Sequence, residues 1–564
     1  MDMRKALAGN RDLQMAFVLF ILAFGLRYHF QAGGLFHTDS VIEANAAEKT
    51  IETGRLYYLQ GELGYPGQAV LNTATYAVFR LFGASNAEAS TLFSGVLFGA
   101  LCVPMIFLLS RKIFDSEHVG VYSALMMTFL PVQLSLSTWG HGHGMELFFI
   151  MLTGYIGILA GERDSLGLKV LTAASMGFTM AIRQTSVLFL PALFLLYFRA
   201  NNPFELKKKG KALRIKFNRP KEGLVGDVAI IVAVSFAVFV VFFVPKMINE
   251  PGFDLVSRFR SVSAETNVGF SLFSPMLMLS LMWATVSMTP LGWVLALVGA
   301  FLAWREDKIK ALALILWFLL FFLYLGNLIS TSPRFVIPAL AAPVILAAVT
   351  VEKLWLKYDY LPVAIVMVVL VGWMFSNIYP VLEYRRVTCG PCDFSKRIGN
   401  VTEANAVIMG MDETMHYEYY AKRKGIGHPS GSSLSDPKQV RKSLDDIEAM
   451  IRNGTPVYVT TQGLSYDGMQ EGMLAYDSDR QALINTQTGR DYSNVRFDTG
   501  KRLLFDRSTD GIYPLGGIYS LELFDRFSAR LIFMTDNEDW HHSCIENSKY
   551  RSVLFKLALR NQTG

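Results

Sequence analysis

Four carboxylates crowd one short stretch, GLFHTDSVIEANAAEKTIETG at residues 34–54, directly after an apolar run. If residues 39–55 are helical, Asp39 and Glu43 share a face, while Glu48 and Glu52 lie on roughly the opposite one. Asp39 and Glu43 are therefore the candidates for proton-transfer chemistry. Glu48 and Glu52, with Lys49 and Arg55 nearby, read as a solvated face. The plainer alternative for Asp39 is an N-cap, which the HTDS sequence permits. A second polar stretch, STWGHGHGMELFF at 137–149, projects His141, His143 and Glu146 at the start of an apolar segment. An ionisable residue there is costly and so a functional candidate. These three either line a substrate cavity or join His37 and Asp39 around a divalent cation (zinc, manganese or magnesium), since imidazole and carboxylate suit zinc or manganese. Their spacing matches no fixed zinc signature, and no cofactor is required by the sequence. Arg183 in MAIRQTS and Arg334 in STSPRFVIP complete the set. Arginine at a membrane end can snorkel to water, but its fork of donors also grips phosphate. Carboxylates on one side and arginines on the other fit a substrate with a phosphate leaving group and a nucleophile to deprotonate. A glycosyl phosphate carried on a lipid is such a substrate.

The elements that must position these residues are membrane helices. Of 564 residues, 52% are hydrophobic and only 18% charged, with mean hydropathy +0.32, whereas soluble domains carry about 25% charged residues. A crossing needs ~20 apolar residues. Such runs fall at 13–31, 88–110, 119–137, 145–161, 168–182, 185–199, 227–245, 275–304 (bent at Pro290), 310–328, 335–351 and 361–379, about eleven in all. Residues 66–83 are amphipathic and read as an interfacial helix. The basic residues Arg4, Lys5, Arg11, Arg111, Lys112, those of loop 199–226, Arg305, Lys308, Lys310, Lys353 and Lys357 then all fall on one side, the cytoplasmic one. This puts the N-terminus inside and leaves outside the loops 32–87 and 138–144 together with the whole tail. The first apolar run is long enough to stay as a span, so no cleavable signal peptide is evident. The modest net charge of +6 sits in membrane-flanking loops and excludes nucleic acid as a partner.

The expected organisation is a transmembrane domain over 1–380 and a soluble extracytoplasmic α/β domain over 381–564. In the tail, residues 405–412 read as a buried strand, 414–425 as a helix ending at Gly425, 436–454 as a helix capped by Asp436 and stopped by Gly454, and 455–461 as the next strand. Cys389 and Cys392 form a CxxC in a connector before the first strand. An outside location favours oxidation, giving either a local disulfide or one of the pair bonded to Cys544. A redox centre, or a zinc site using His541 or His542, is the lesser reading. Triplets at 400–402, 453–455 and 561–563 match the glycosylation sequon.

Taken together, these features resemble the GT-C superfamily of polyprenyl-phosphate-sugar glycosyltransferases, in the branch of protein mannosyltransferases and aminoarabinose transferases. The resemblance lies in HTDSVIEANAAEKTIETGRL after the first span, LGYPGQAVLNTATYAVFRLFGASN opening a juxtamembrane helix, the basic turn LLSRKIFDS, and SPRFVIP opening a late span. It covers about residues 15–350. It departs from the family pattern in having Asp39-Ser40 for an Asp-Glu pair and a single Pro66 after Tyr65. The resemblance implies a polyprenyl-phosphate sugar donor, a glycan, lipid or protein acceptor, a plasma or inner membrane location, Asp39 as the catalytic base or acceptor-orienting group, and Arg334 on the donor phosphate. Oligosaccharyltransferases share the superfamily, but their Trp-Trp-Asp-Tyr-Gly sequence is absent from the tail, so transfer of a preassembled glycan to asparagine is not expected. Two rivals from other classes are a transporter or flippase of lipid-linked sugars and a non-catalytic cell-envelope assembly protein. A transporter should show broken mid-membrane helices, and none is evident in the sequence.

Overall fold

In the computed structural model the described residues are 11–58, 64–199, 204–209, 212–217, 223–250, 252–258, 274–327, 333–358, 360–410, 414–427, 437–460, 474–477, 482–485, 523, 526–539 and 548–559. The chain divides into two compact units. One comprises Met1–Leu35 and Ile42–Thr388; the other comprises Phe36–Val41, Cys389–His541 and Glu546–Gly564.

The first unit is almost wholly helical: α1 (Arg11–His29), most of α2 (Thr38–Thr53), α3 (Pro66–Leu81), α4 (Glu88–Phe114), α5 (Glu117–Phe129), α6 (Pro131–Ser137), α7 (His143–Arg163), α8 (Leu166–Ile182), α9 (Leu190–Phe198), α10 (Leu224–Val241), α11 (Val244–Asn249), α12 (Pro275–Glu306), α13 (Lys308–Leu325), α14 (Ile337–Tyr358) and α15 (Tyr360–Val387). Between α9 and α10 lies a hairpin of β1 (Phe204–Lys209) and β2 (Ala212–Phe217). A helix stands at each of the eleven positions expected from the apolar runs. Seven among the described residues are long and apolar enough to cross a membrane, or eight if a bent pair is one span. The segments at 168–182 and 185–199 are shorter apolar helices, and α1 carries Arg11, Asp12, Arg27 and His29 near its ends.

Burial follows from solvent. The helix α14 is buried along nearly all of its first four turns, with Pro338, Ala342 and Val344 inside. The outer helices expose apolar stripes: Phe17, Val18 and Ile21 on α1, Leu297 and Phe301 on α12, Ile365 and Val368 on α15. Bare apolar helix faces of this length belong in hydrocarbon, and the protein is an integral membrane protein.

Two of the helices are broken, one where the sequence reading expected a bend, at Pro290, and one where it expected a continuous span, over 119–137. The run 119–137 is continuous in hydropathy, yet α5 and α6 meet at a 60° bend. Pro131 cannot donate to the carbonyl of Met127. Arg27, fully buried on α1, reaches that carbonyl at 3.5 Å and also donates to the side chain of Gln133. A buried cation is thus spent on the backbone group that a proline set free. In α12 the break falls at Thr289, whose φ of 61° lies in the left-handed region immediately before Pro290.

The second unit holds a five-stranded mixed sheet in the order β4-β3-β5-β9-β8, where β3 is Val407–Gly410, β4 Lys424–Gly427, β5 Val457–Thr460, β8 Phe527–Asp539 and β9 Ser548–Leu559. A separate pair, β6 (Leu474–Asp477) and β7 (Ala482–Asn485), runs antiparallel. The short β3 pairs in parallel with both β4 and β5, and the long β8 and β9 pair antiparallel. Two helices flank these strands in sequence, α16 (Gly390–Val401) and α17 (Pro437–Arg452). Phe394 and Ile398 of α16 pack with Ile408, Tyr417, Tyr458 and Leu554. Burial would raise the Glu403 carboxyl, but hydrogen bonds from Lys556 and Tyr458, each at 2.6 Å, more than offset it and hold it at about 2.

Several tail expectations need correction. The helix after β3 ends at Ala421, and Lys422 takes the left-handed conformation instead of Gly425, which lies within β4. The CxxC does not sit in a connector: Cys389 caps α16, Cys392 lies in its first turn, and the two are disulfide-bonded to each other. Gly454, with φ +78°, follows α17 as expected. The segment from 411 to 413, Asp436, His541, His542, Cys544 and the triplet 561–563 lie outside the described residues.

Candidate active site

The polar residues of the first unit converge at the start of α7. Gly142 caps this helix, His143 begins it and Glu146 closes its first turn, with the Glu146 amide donating to the Gly142 carbonyl at 3.1 Å. The turn before it depends on glycine twice. Gly140 has φ +79°, and a Cβ on Gly142 would lie only 2.2 Å from the side chain of Gln68 on α3.

Glu146 is 1% exposed, so its carboxylate must be satisfied from within. Ser186 donates to one oxygen at 3.1 Å and Thr185 at 3.3 Å. The other oxygen faces the Arg183 guanidinium at 3.7 Å and His143 Nδ1 at 3.4 Å. Arg183 leaves the end of α8 in an extended conformation, and its guanidinium lies over the Tyr65 ring at 4.7 Å. Tyr65 caps α3, whose Gly67 packs so close to α8 that a Cβ would meet the Ile182 nitrogen at 2.8 Å. The juxtamembrane helix is thereby fixed to the arginine it helps to frame.

A second arginine joins the same cluster. His141 stacks on His143 with ring centroids 4.6 Å apart, and Arg334 Nη1 lies 3.4 Å from His141 Nε2. Arg334 sits in the 3-10 turn Pro333–Val336 with its guanidinium over Phe335, and Phe335 meets the His143 ring edge-on. Five residues singled out from sequence, His141, His143, Glu146, Arg183 and Arg334, are thus contiguous.

The first-loop carboxylates divide differently from expectation. Glu43 is not loose: Asn72 of α3 donates to it at 2.9 Å, and Ser94 of α4 donates to Asn72 at 2.7 Å. Glu48 is half-buried and accepts the Ala87 amide at 2.7 Å, so it secures the start of α4 rather than only wetting a face. Glu52 is exposed, as expected. In the second unit, the N-cap role weighed for Asp39 belongs to its neighbour. His37 Nδ1 accepts the Asp39 backbone N–H at 3.0 Å, and the Asp39 carboxylate stands 3.7 Å from the same nitrogen. The Asp39 side chain is 38% exposed.

Sequence reading missed Tyr65, Gln68, Asn72, Thr185 and Ser186. The signal for the last two was present: Gln184, Thr185 and Ser186 follow Arg183 as a polar run between two apolar helices.

Comparison with known proteins places this architecture. Residues 70–216, about a quarter of the chain, match the family model described as Dolichyl-phosphate-mannose-protein mannosyltransferase. The archaeal oligosaccharyltransferase AglB from Archaeoglobus fulgidus, solved with an inhibitory peptide and a dolichol-phosphate, superposes with TM-score 0.61 at 13% identity, over 95% of this chain and 80% of its own. The fold is that of the GT-C glycosyltransferases. Undecaprenyl-phosphate-bound ArnT from Cupriavidus metallidurans shares this GT-C fold with TM-score 0.55 at 15% identity, over 80% of this chain and 92% of its own. An Archaeoglobus fulgidus oligosaccharyltransferase in complex with Zn and sulfate does so with TM-score 0.52 at 11% identity, over 83% and 73%. No curated protein matches the chain by sequence.

Proposed function

We propose that this protein is a membrane glycosyltransferase that moves a single hexosyl or pentosyl group from a polyprenyl phosphate to a glycan, lipid or protein acceptor on the extracytoplasmic face. The observation that carries the reading is the GT-C fold combined with a buried His–Glu–Arg cluster at the start of α7. The basic loops favour a cytoplasmic N-terminus, with the loops 32–87 and 138–144 and the tail outside.

In the proposed reaction the acceptor hydroxyl oxygen attacks the anomeric carbon while its proton passes to the Asp39 carboxylate. The bond from that carbon to the phosphate oxygen breaks on the opposite face, so the configuration inverts. The electron pair leaves on polyprenyl phosphate, and Arg334 stabilises the charge that gathers there. Arg183, engaged by Glu146 and Tyr65, assists the phosphate site chiefly by holding this cluster in place. Glu43 is the second carboxylate, aligned by Asn72.

Arg334→Ala removes charge-assisted hydrogen bonds worth about 1.5–3 kcal/mol, so donor KM rises roughly 10- to 100-fold with a smaller change in kcat. Donor affinity equal to wild type would take Arg334 out of the phosphate site. A divalent cation fits the donor types in both units: His141, His143 and Glu146 in the first, His37 and Asp39 in the second. Bound there, a cation would supply Lewis-acid stabilisation of the phosphate. Chelation followed by readdition of manganese, magnesium or zinc should abolish and restore transfer. Full activity in metal-free protein, verified by elemental analysis, excludes the cation.

The coverage of AglB over 95% of this chain favours a second reading, in which the transferred group is an oligosaccharide. The mass of the product separates the two.

A further inference from the structure

One cavity of the first unit takes no part in the chemistry above. It encloses about 450 Å³ and is lined by the residues around the end of α2, from Thr53 to Tyr58, and by Lys246, Asn249 and Glu250 at the end of α11. Sites for small molecules span about 300–1,000 Å³. Lys246, Asn249 and Glu250 are spaced i, i+3 and i+4, so they share a face of α11. Val244, Met247 and Ile248 lie on the opposite side and are exposed. Since α11 closes the apolar stretch Val225–Asn249, the cavity stands at the membrane surface.

Two of its side chains are buried and held in place. Lys246 is 3% exposed, with its ammonium over the Tyr58 ring at 4.8 Å, over the Phe253 ring at 5.1 Å, and 4.0 Å from the Glu250 carboxylate. Tyr58 is 6% exposed and packs on Gly64, where a Cβ would come within 2.7 Å of the ring. Gln184 Nε2 in turn donates to the Gly64 carbonyl at 2.8 Å. The Tyr58 hydroxyl finds no hydrogen-bond partner among the described residues. Burial first, and then the Glu250 carboxylate, push its pKa up, so it stays a donor. A buried hydroxyl left in this state is costly, and a ligand in the cavity relieves it.

The lining also defines the ligand. Arg55 and Lys246 against Glu250 leave one net positive charge. A carboxylate balances that charge, whereas a phosphate monoester, at about −1.5 to −2, exceeds it. Tyr58 donates, Glu250 accepts, and Thr53 and Asn249 do both, which suits hydroxyl groups that are themselves donors and acceptors. The half-buried Leu56 and Tyr57 add apolar surface for the C–H face of a ring.

We propose that this cavity binds an acidic sugar, a ring carrying one carboxylate as in a uronic acid, with the carboxylate on Arg55 and Lys246 and a ring hydroxyl accepting from Tyr58. The proposal does not rest on the glycosyltransferase reading, and its test measures binding without turnover, so the two fail separately.

Titration calorimetry on the full-length protein in phosphatidylcholine nanodiscs compares methyl glucuronide, methyl glucoside, glucose 6-phosphate and acetate. Methyl glucuronide should bind roughly 10- to 100-fold more tightly than methyl glucoside, because the two differ by a charge-assisted contact. It should also bind more tightly than glucose 6-phosphate or acetate. Arg55→Gln changes an exposed side chain, leaves the fold intact, and should remove most of the preference for the acid. Tyr58→Phe keeps the packing on Gly64, which a thermal melt verifies, and should weaken both methyl glycosides by about 2- to 10-fold. Competition by glucuronosyl diacylglycerol built into the discs separates a lipid-borne from a water-borne source of the same sugar. The proposal is overturned if methyl glucuronide shows no binding or binds no more tightly than methyl glucoside. It is overturned equally if acetate binds as well, which makes this a bare anion site, or if glucose 6-phosphate binds more tightly. Unchanged methyl glucuronide affinity in both Arg55→Gln and Tyr58→Phe would place the sugar elsewhere on the protein.

Discussion

Asp39→Asn should lower sugar transfer by about 10³-fold, within the 10²–10⁴-fold range that a positioned general base contributes. Asparagine keeps the shape of aspartate and cannot take the acceptor proton. The structural cost is small for identifiable reasons. The hydrogen bond that starts α2 runs from the Asp39 backbone N–H to His37, and the substitution leaves it in place. What is lost is an acidic group in the first helical turn, worth about 0.3–1 kcal/mol. A loss of that size cannot reduce activity a thousandfold through unfolding. Transfer assayed beside a thermal melt therefore separates the roles. Wild-type turnover in Asp39→Asn removes Asp39 from the mechanism, and a large fall in melting temperature makes its role structural. Glu43→Gln provides the contrast, because a glutamine oxygen still accepts from Asn72 and the α2–α3–α4 link survives.

Arg183→Met should be the most destabilising single change in the cluster, by about 3–5 kcal/mol, because it leaves the Glu146 carboxylate buried without its cation. Glu146→Gln should cost less. Ser186 and Thr185 continue to donate to the amide oxygen, and Arg183 keeps its place over Tyr65. The double variant tests the pairing itself. Once the carboxylate is neutral, Arg183→Met loses most of its penalty, so the double variant is more stable than Arg183→Met alone. Additive losses, read from denaturation in lipid discs, would mean that the 3.7 Å contact contributes nothing.

Most of the helical architecture was legible because long apolar runs leave few alternatives in lipid. The bend between α5 and α6 was not, since hydropathy is blind to a freed carbonyl and to the arginine that meets it. Arg27 illustrates the limit. It lies near the end of an apolar run, where arginine ordinarily snorkels, yet it is fully buried. The candidate site was legible as residue types: His141, His143 and Glu146 were visible from their glycine-rich turn, and Arg183 and Arg334 from their positions at helix ends. Which arginine meets the carboxylate depends on α3 docking against α8 through Gly67, a long-range contact that no local spacing encodes. In the tail, β3 and β5 stood out as short apolar runs. The long pair β8 and β9 carries charged residues along its length, which masked it.

The central claim is that a sugar leaves a polyprenyl phosphate on this protein. The most direct measurement incubates purified protein in lipid discs with a panel of radiolabelled polyprenyl-phosphate sugars and acceptor extracts, then fractionates lipid from product. The proposed function predicts that label moves from the lipid fraction to an acceptor with wild type and remains in the lipid with Asp39→Asn. Label that stays on the lipid across the whole panel, while the same lipid crosses sealed proteoliposomes in a protein-dependent way, would contradict it and make the protein a transporter.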